Sequence, residues 1–188
     1  RMSRPCGYQS SWCAELHGLQ ANYIQARSAF DFAVTNSEEI SATIEANARD
    51  YTEPQRKALS DYRKAKRALA KEVAKDPYSL VWPTKTFKER DEWIRATTGQ
   101  KQVNVANAQA EVVRATQAYR MAVARSQTQQ TIVKFLDTDL NLQMQLQAEL
   151  TEMNRAGEEV LNAGVALELA KQKQDRSRKN KAAIKQAT

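Results

Sequence analysis

Few residues in this chain have the type and spacing that catalysis or metal binding requires. His17 is the single histidine, so a histidine-based catalytic triad would depend on that one residue. The 188 residues contain no HExxH zinc motif, GxSxG nucleophile motif, glycine-rich phosphate loop or calcium-binding loop. The acidic pairs Glu38-Glu39 and Glu158-Glu159 lack the Glu-x-x-His spacing of a carboxylate-bridged metal site. The sequence therefore predicts a protein that is not an enzyme, with no catalytic residues, metal site, cofactor or small-molecule substrate.

The two cysteines, Cys6 and Cys13, leave two interpretations open. On one helix, their spacing of seven residues would separate them by about 10 Å along the axis, too far for a disulfide. In a loop they could close a small ring, and the neighbouring Pro5 and Gly7 favour a loop. The pair is either a disulfide that ties down the N-terminus of an exported protein or two ordinary thiols.

Basic charge is concentrated in two segments. Residues 55–75 hold eight basic and two acidic side chains, and residues 171–188 hold seven basic and one acidic, so each segment has a net charge of +6, whereas the whole chain has +7 because the other residues are net acidic. Such segments attract anionic partners: nucleic acid, acidic lipid headgroups or an acidic protein face. In the C-terminal segment the predicted partner-binding residues are Arg176, Arg178, Lys179 and Lys181. For 55–75 we favour a solvated outer helix face instead, because an apolar stripe along the same residues already explains a helix there.

The elements that must position these charges are helices. Residues 19–53 and 100–156 contain neither Gly nor Pro, the strongest breakers of regular structure. Residues of one heptad position form an apolar seam with a polar exception: Leu16, Tyr23, Phe30, Ser37, Ile44 and Tyr51. A second interleaved set comprises Leu19, Ala26, Ala33, Ile40 and Asn47. This pattern predicts a helix that packs against another helix.

Helix boundaries are indicated at several points. Thr52 as a cap, Pro54 in the first turn and Gln55 closing a capping box predict a break near 51–54, and weaker signals allow breaks near 36 and 128. Between the prolines at 77 and 83, a loop exposes a candidate docking knob for a protein partner formed by Tyr78, Leu80 and Trp82. The alternative is a satellite core in which Trp82 packs on Trp93 or Phe87.

A short helix is predicted from the Thr86–Glu89 capping box through Trp93, with Gly99 as its C-terminal cap. A long helical arm follows it, with a wholly polar stretch at 126–131. Residues 140–146 alternate like a strand, but Asn and Gln between the apolar residues favour helix.

The fold predicted from these signals is all-α, an elongated helical hairpin or antiparallel coiled-coil bundle of three to five helices. Its parts are an N-terminal loop with the cysteine pair (1–14), a first arm (15–76), a tip with a loop and short helix (77–99), a second arm (100–173) and a basic tail (174–188). In a straight hairpin, the first arm would span about 93 Å and would hold the two basic segments about 90 Å apart.

These features predict a structural or interaction protein, a helical component of a larger assembly. Fold-level analogy points to secretion, conjugation, or phage and virion-type machinery. Its partners would be proteins or further copies of itself through the helical seams. The alternative is a nucleic-acid-binding or packaging protein that uses 55–75 and 171–188. The compartment is left open, with an exported or virion-associated protein favoured over a cytoplasmic one.

Overall fold

A computed structural model of the chain describes residues 11–78, 87–124 and 132–187. Within these ranges the backbone forms four α-helices and no β-strand. They are α1 (Ser11–Asn47), α2 (Glu53–Ala74), α3 (Phe87–Ala124) and α4 (Ile132–Ala187). The all-α prediction is confirmed, and the helices pack in an antiparallel bundle.

Helix α2 folds back along α1. Near the start of α1, Arg27 Nη1 donates a hydrogen bond to the carbonyl of Ala74 at the end of α2 (2.8 Å). Near the other end of α1, Glu45 forms an ion pair with Arg63 of α2. Residues 15–76 therefore do not form one straight arm, and the described helices adopt the second arrangement that the sequence allowed, a bundle of shorter helices.

Helices α3 and α4 complete the antiparallel order. At opposite ends of α2, Gln55 donates to the Ala122 carbonyl (3.2 Å) and Lys101 donates to the Val73 carbonyl (3.0 Å). Helix α4 packs mainly on α1 and also contacts α3, through the Arg90–Asp175 ion pair among others. Each helix therefore runs opposite to its neighbours in the chain.

The predicted seams form the core. Phe30 and Ser37 of the first heptad set and Ala26 and Ala33 of the second are buried. So are four residues of α2: Leu59, Tyr62, Leu69 and Val73. Gly157 of α4 faces this core, since a Cβ added there would lie at ordinary contact distance, 3.4 Å from Val73 Cγ2 and 3.8 Å from Phe30. A continuous hydrophobic core joins all four helices, and its buried residues lie at the spacings that the sequence pattern predicted.

The break near 51–54 is confirmed, since α1 ends at Asn47 and α2 begins at Glu53. In the predicted capping box, the Thr52 N–H donates to Gln55 Oε1 (2.8 Å). The break predicted near 36 was wrong, because α1 continues through Asn36. The side chain of Ser37 donates a buried hydrogen bond to Glu149 instead of capping a new helix. The break near 128 lies outside the described residues.

The helix boundary predicted at Gly99 differs from the structure. The short helix capped by Gly99 was wrong, because α3 continues to Ala124 and none of the described glycines has a positive φ. A side chain at Gly99 would meet no neighbouring atom, so the glycine affects α3 only through its low intrinsic helix propensity.

The terminal segments also extend the helices. Helix α1 begins at Ser11, so residues 11–14 are helical rather than part of the predicted loop, because none of them is a helix breaker. Helix α4 continues through the predicted tail to Ala187, because that segment also lacks Gly and Pro. The residues 140–146 are helical, as predicted.

Candidate functional site

The interior of the bundle contains an ion pair between Lys66 of α2 and Glu149 of α4. The two side chains are 3% and 1% exposed, respectively. Glu149 Oε1 also accepts a hydrogen bond from Ser37 Oγ, and its Oε2 accepts one from Tyr62 OH (3.2 Å). Lys66 Nζ donates in addition to Ser41 Oγ and to the Ser37 carbonyl (3.2 Å). The pair is therefore satisfied by side chains from three helices.

Tyrosine rings extend this network to α3. The Tyr62 ring stacks on that of Tyr119 with centroids 5.9 Å apart, and Lys66 Nζ lies 4.4 Å from the Tyr62 ring centroid. The Tyr119 hydroxyl is 2.6 Å from the Tyr51 hydroxyl. Each of the four helices thus contributes to one polar and aromatic cluster, which we call the buried network.

Burial dominates the electrostatics of the buried network. It lowers the pKa of Lys66, and the nearby carboxylate of Glu149 opposes this change without cancelling it. Burial and the negative charge of Glu149 raise the pKa of Tyr62 well above its ordinary value, so the phenol stays protonated and donates. Neither Lys66 nor Glu149 lines the two grooves beside α2.

Between α1 and α2 lies a groove of about 530 Å³, which we call the basic groove. Five cationic side chains and one carboxylate, Glu45, take part in its lining; the cations are Arg49, Arg56, Arg63, Lys64 and Arg67. Two carboxylates of α1 hold the inner cations: Arg63 pairs with Glu45 and with Glu38 (3.2 Å), and Arg67 pairs with Glu38 (3.1 Å). Burial acts to raise the pKa of Glu38, but the hydrogen bonds from Arg67 and Arg63 outweigh it and lower the pKa.

Three cations at the basic groove have no ion-pair partner in the described part of the chain. Arg49, Arg56 and Lys64 are exposed. Arg63 Nε, in contrast, is buried without a hydrogen-bond partner among the described residues, while its two Nη atoms are bonded to carboxylates. The groove therefore has an inner wall fixed by ion pairs and an outer edge of unneutralised charge.

Tyr78, the described member of the predicted docking knob, packs on the bundle. Its ring lies edge-on to Trp93 with centroids 6.5 Å apart, and its hydroxyl is hydrogen-bonded to Thr98. It is half-buried. Leu80 and Trp82 lie outside the described residues, so a docking role for this loop stays a prediction.

The predicted C-terminal contacts lie on the last turns of α4. Arg176 and Lys179 are exposed, whereas the side chains of Arg178 and Lys181 lie outside the described part of the chain. Asp175 of α4 forms an ion pair with Arg90 at 3.7 Å, and Arg90 lies three residues after the start of α3. Since the two helices are antiparallel, the end of α4 projects past the first residue of α3.

The remaining predicted features are tested only in part. Cys6 lies outside the described residues, as does the side chain of Cys13, so the disulfide stays a prediction. In the described ranges, no three His, Cys, Asp or Glu side chains cluster as a metal site would require. None of the helices described combines the length and apolarity needed to cross a membrane.

Sequence reasoning missed the buried network and Arg49. It assigned Lys66 to a solvated face, and this was wrong, because Lys66 takes a core position between Tyr62 and Leu69. Glu149 likewise falls within the buried stripe of α4, between Leu146 and Met153. Two opposite charges, each at a core position of an apolar stripe, were the signal that could have revealed the pair.

Fold and site together define an antiparallel helical bundle with a buried ionic network and a basic groove. Comparison of the chain with protein-family models, with curated proteins and with solved structures finds no match.

Proposed function

We propose that the chain is a non-enzymatic structural protein, a helical component of a larger assembly of the secretion, conjugation, or phage and virion type. The observation that carries the proposal is the buried network. Burying an ion pair rarely adds net stability, but it penalises every helix register that would leave a charge unpaired. The interior chemistry of this chain therefore serves the geometry of the bundle.

A fixed bundle is useful to an assembly because its outer faces keep constant positions. Large apolar side chains stand on these faces, among them Phe32 on α1 at 76% exposed and Met121 on α3 at 55%. Such residues supply contact area when helices of different molecules pack together. We infer that self-association or protein contacts through the helical faces use them.

Sedimentation velocity of the full chain over a wide concentration range tests this proposal. We expect reversible species heavier than the monomer, and we expect Phe32→Ser to shift the population towards monomer more than its counterpart Met121→Ser. A chain that stays monomeric at every concentration contradicts self-association. Turnover of a substrate by the purified chain would contradict the non-enzymatic role.

A second candidate is nucleic-acid binding or packaging, and the bundle removes one objection to it. In a straight hairpin the two basic segments would lie far apart. Here Val73, near the end of the first segment, lies beside Gly157 of α4, and Lys171 lines one cavity with Pro77 and Tyr78. Replacing the basic residues of 176–185 by Gln would lower nucleic-acid affinity if the second segment takes part.

A further inference from the structure

The basic groove has the construction of a binding site rather than of a solvated helix face. Helices α1 and α2 contact each other at few positions, and long side chains bridge the gap between them. Leu59 and Ala48 are buried at its lining, so the floor is closed beneath the cations. Glu38 and Glu45 pair with two of the five cations, so three cations that are unpaired within the described ranges leave an excess of positive charge in one concave space.

The cations of α2 are arranged in a line along the groove. Arg56, Arg63 and Arg67 are separated by seven and four residues, which places them on the same face of a helix. Their eleven-residue span covers about 16 Å. Arg63 and Arg67 are held by carboxylates of α1, whereas the guanidinium of Arg56 can donate two hydrogen bonds to a phosphate.

We propose that the basic groove binds the phosphate backbone of a single-stranded nucleic acid, independently of the assembly role. Arg49, Arg56 and Lys64 make the outer contacts. The pairs of Arg63 and Arg67 with Glu38 and Glu45 hold the inner wall in place. None of the lining residues is aromatic, so the bases are not stacked and the sequence of the strand is not read.

An acidic peptide fits this groove less well. Apart from Ala48 and Arg49, which follow the end of α1, the lining residues belong to helices. Their backbone groups are bonded within each helix and offer no strand edge to an extended peptide. A docked helix needs apolar pockets for its anchor residues, whereas here the apolar floor lies beneath a layer of cations. A phosphate chain needs only charge and side-chain donors, and the groove supplies both.

Fluorescence anisotropy with a labelled short oligothymidylate strand and the full-length chain tests the proposal over a range of salt concentrations. We expect the triple variant R49Q/R56Q/K64Q to bind at least tenfold more weakly than the unmodified chain. Its plot of log affinity against log salt should be shallower by about 2, because each lost contact to a single strand contributes about 0.7. The matched control R95Q/R114Q/R120Q removes the same charge from α3 and should bind almost as well as the unmodified chain.

Three outcomes would overturn the proposal: unchanged affinity of the groove variant, equal loss in the α3 control, or tighter binding of a polyglutamate peptide than of oligothymidylate. The last result would assign the groove to an acidic protein. Thermal unfolding by circular dichroism confirms that the variants stay folded. Sedimentation measures self-association separately. A negative anisotropy result therefore does not contradict the assembly role, and a negative sedimentation result does not contradict strand binding by the basic groove.

Discussion

Lys66 and Glu149 occupy positions where apolar residues could stabilise the bundle at least as well. Their charges are removed from water. Hydrogen bonds donated by Ser37 and Tyr62 to Glu149, and one donated by Lys66 to Ser41 Oγ, compensate part of the desolvation. The consequence at the residue scale is an asymmetry. Removing one partner leaves a buried charge uncompensated, whereas removing both does not.

Lys66→Met should therefore lower the free energy of unfolding by about 3–5 kcal/mol, because the carboxylate of Glu149 stays buried without its cation. Urea unfolding followed by circular dichroism measures this change. The control is Lys64→Met on the same helix, where the side chain is exposed and the expected change is within about 0.5 kcal/mol.

The double variant K66M/E149L completes this comparison. It should recover most of the lost stability, since no unpaired charge remains in the core. A Lys66→Met variant that is as stable as Lys64→Met would show that the pair is not buried in the folded protein.

Glu38 makes stability depend on acid pH. Its pKa lies below the ordinary 4.5 in the folded chain, because the hydrogen bonds from Arg67 and Arg63 outweigh burial. Its stabilising contribution is therefore complete above about pH 4.5 and is lost as the pH falls through the folded-state pKa. We expect the free energy of unfolding to decline on acidification, and Glu38→Gln to make that decline shallower.

Glu39→Gln serves as the control for this experiment. Glu39 is exposed and has no ion pair in the described part of the chain, so the decline should remain as steep as in the unmodified protein. Equal acid dependence of the Glu38→Gln variant and the unmodified chain would contradict the assigned role of Glu38.

At the scale of the element, local signals predicted helices well. The Thr52–Gln55 signature marked the start of α2, and the heptad seam marked the buried face of α1, because both depend on contacts within a few residues. Gly99 misled the prediction, since a glycine signals a helix end and an exposed helix interior alike. Which of the two applies is decided by packing further away, here that of α3 on α2 and α4.

Gly99→Ala distinguishes the two roles. Within a continuous α3 the added methyl group meets no atom within 4 Å, so stability should rise by about 0.5–1 kcal/mol through helix propensity. Gly18→Ala, in a similarly open position of α1, should give a similar gain. Thermal unfolding measures both, and a loss of stability in the Gly99→Ala variant alone would indicate a left-handed cap at that position.

At the scale of the whole molecule, the order of packing was the part that the sequence left open. A heptad seam shows that a helix has a partner but not which helix that partner is. The choice depends on long-range pairings such as Lys66 with Glu149, and a core position on one helix does not identify the helix that supplies its partner. The same folding-back of α2 on α1 creates the basic groove, which no single segment predicts.

The folding-back of α2 on α1 is the central claim, because both the buried network and the basic groove depend on it. Spin labels at Ser28→Cys and Lys71→Cys, in a chain with both native cysteines replaced by serine, measure it directly by double electron–electron resonance. Both positions are exposed, and their neighbours Arg27 and Ala74 are hydrogen-bonded across the two helices. The bundle predicts a short separation, far below the roughly 65 Å that 43 residues of continuous helix would span. A distance near that larger value would contradict it.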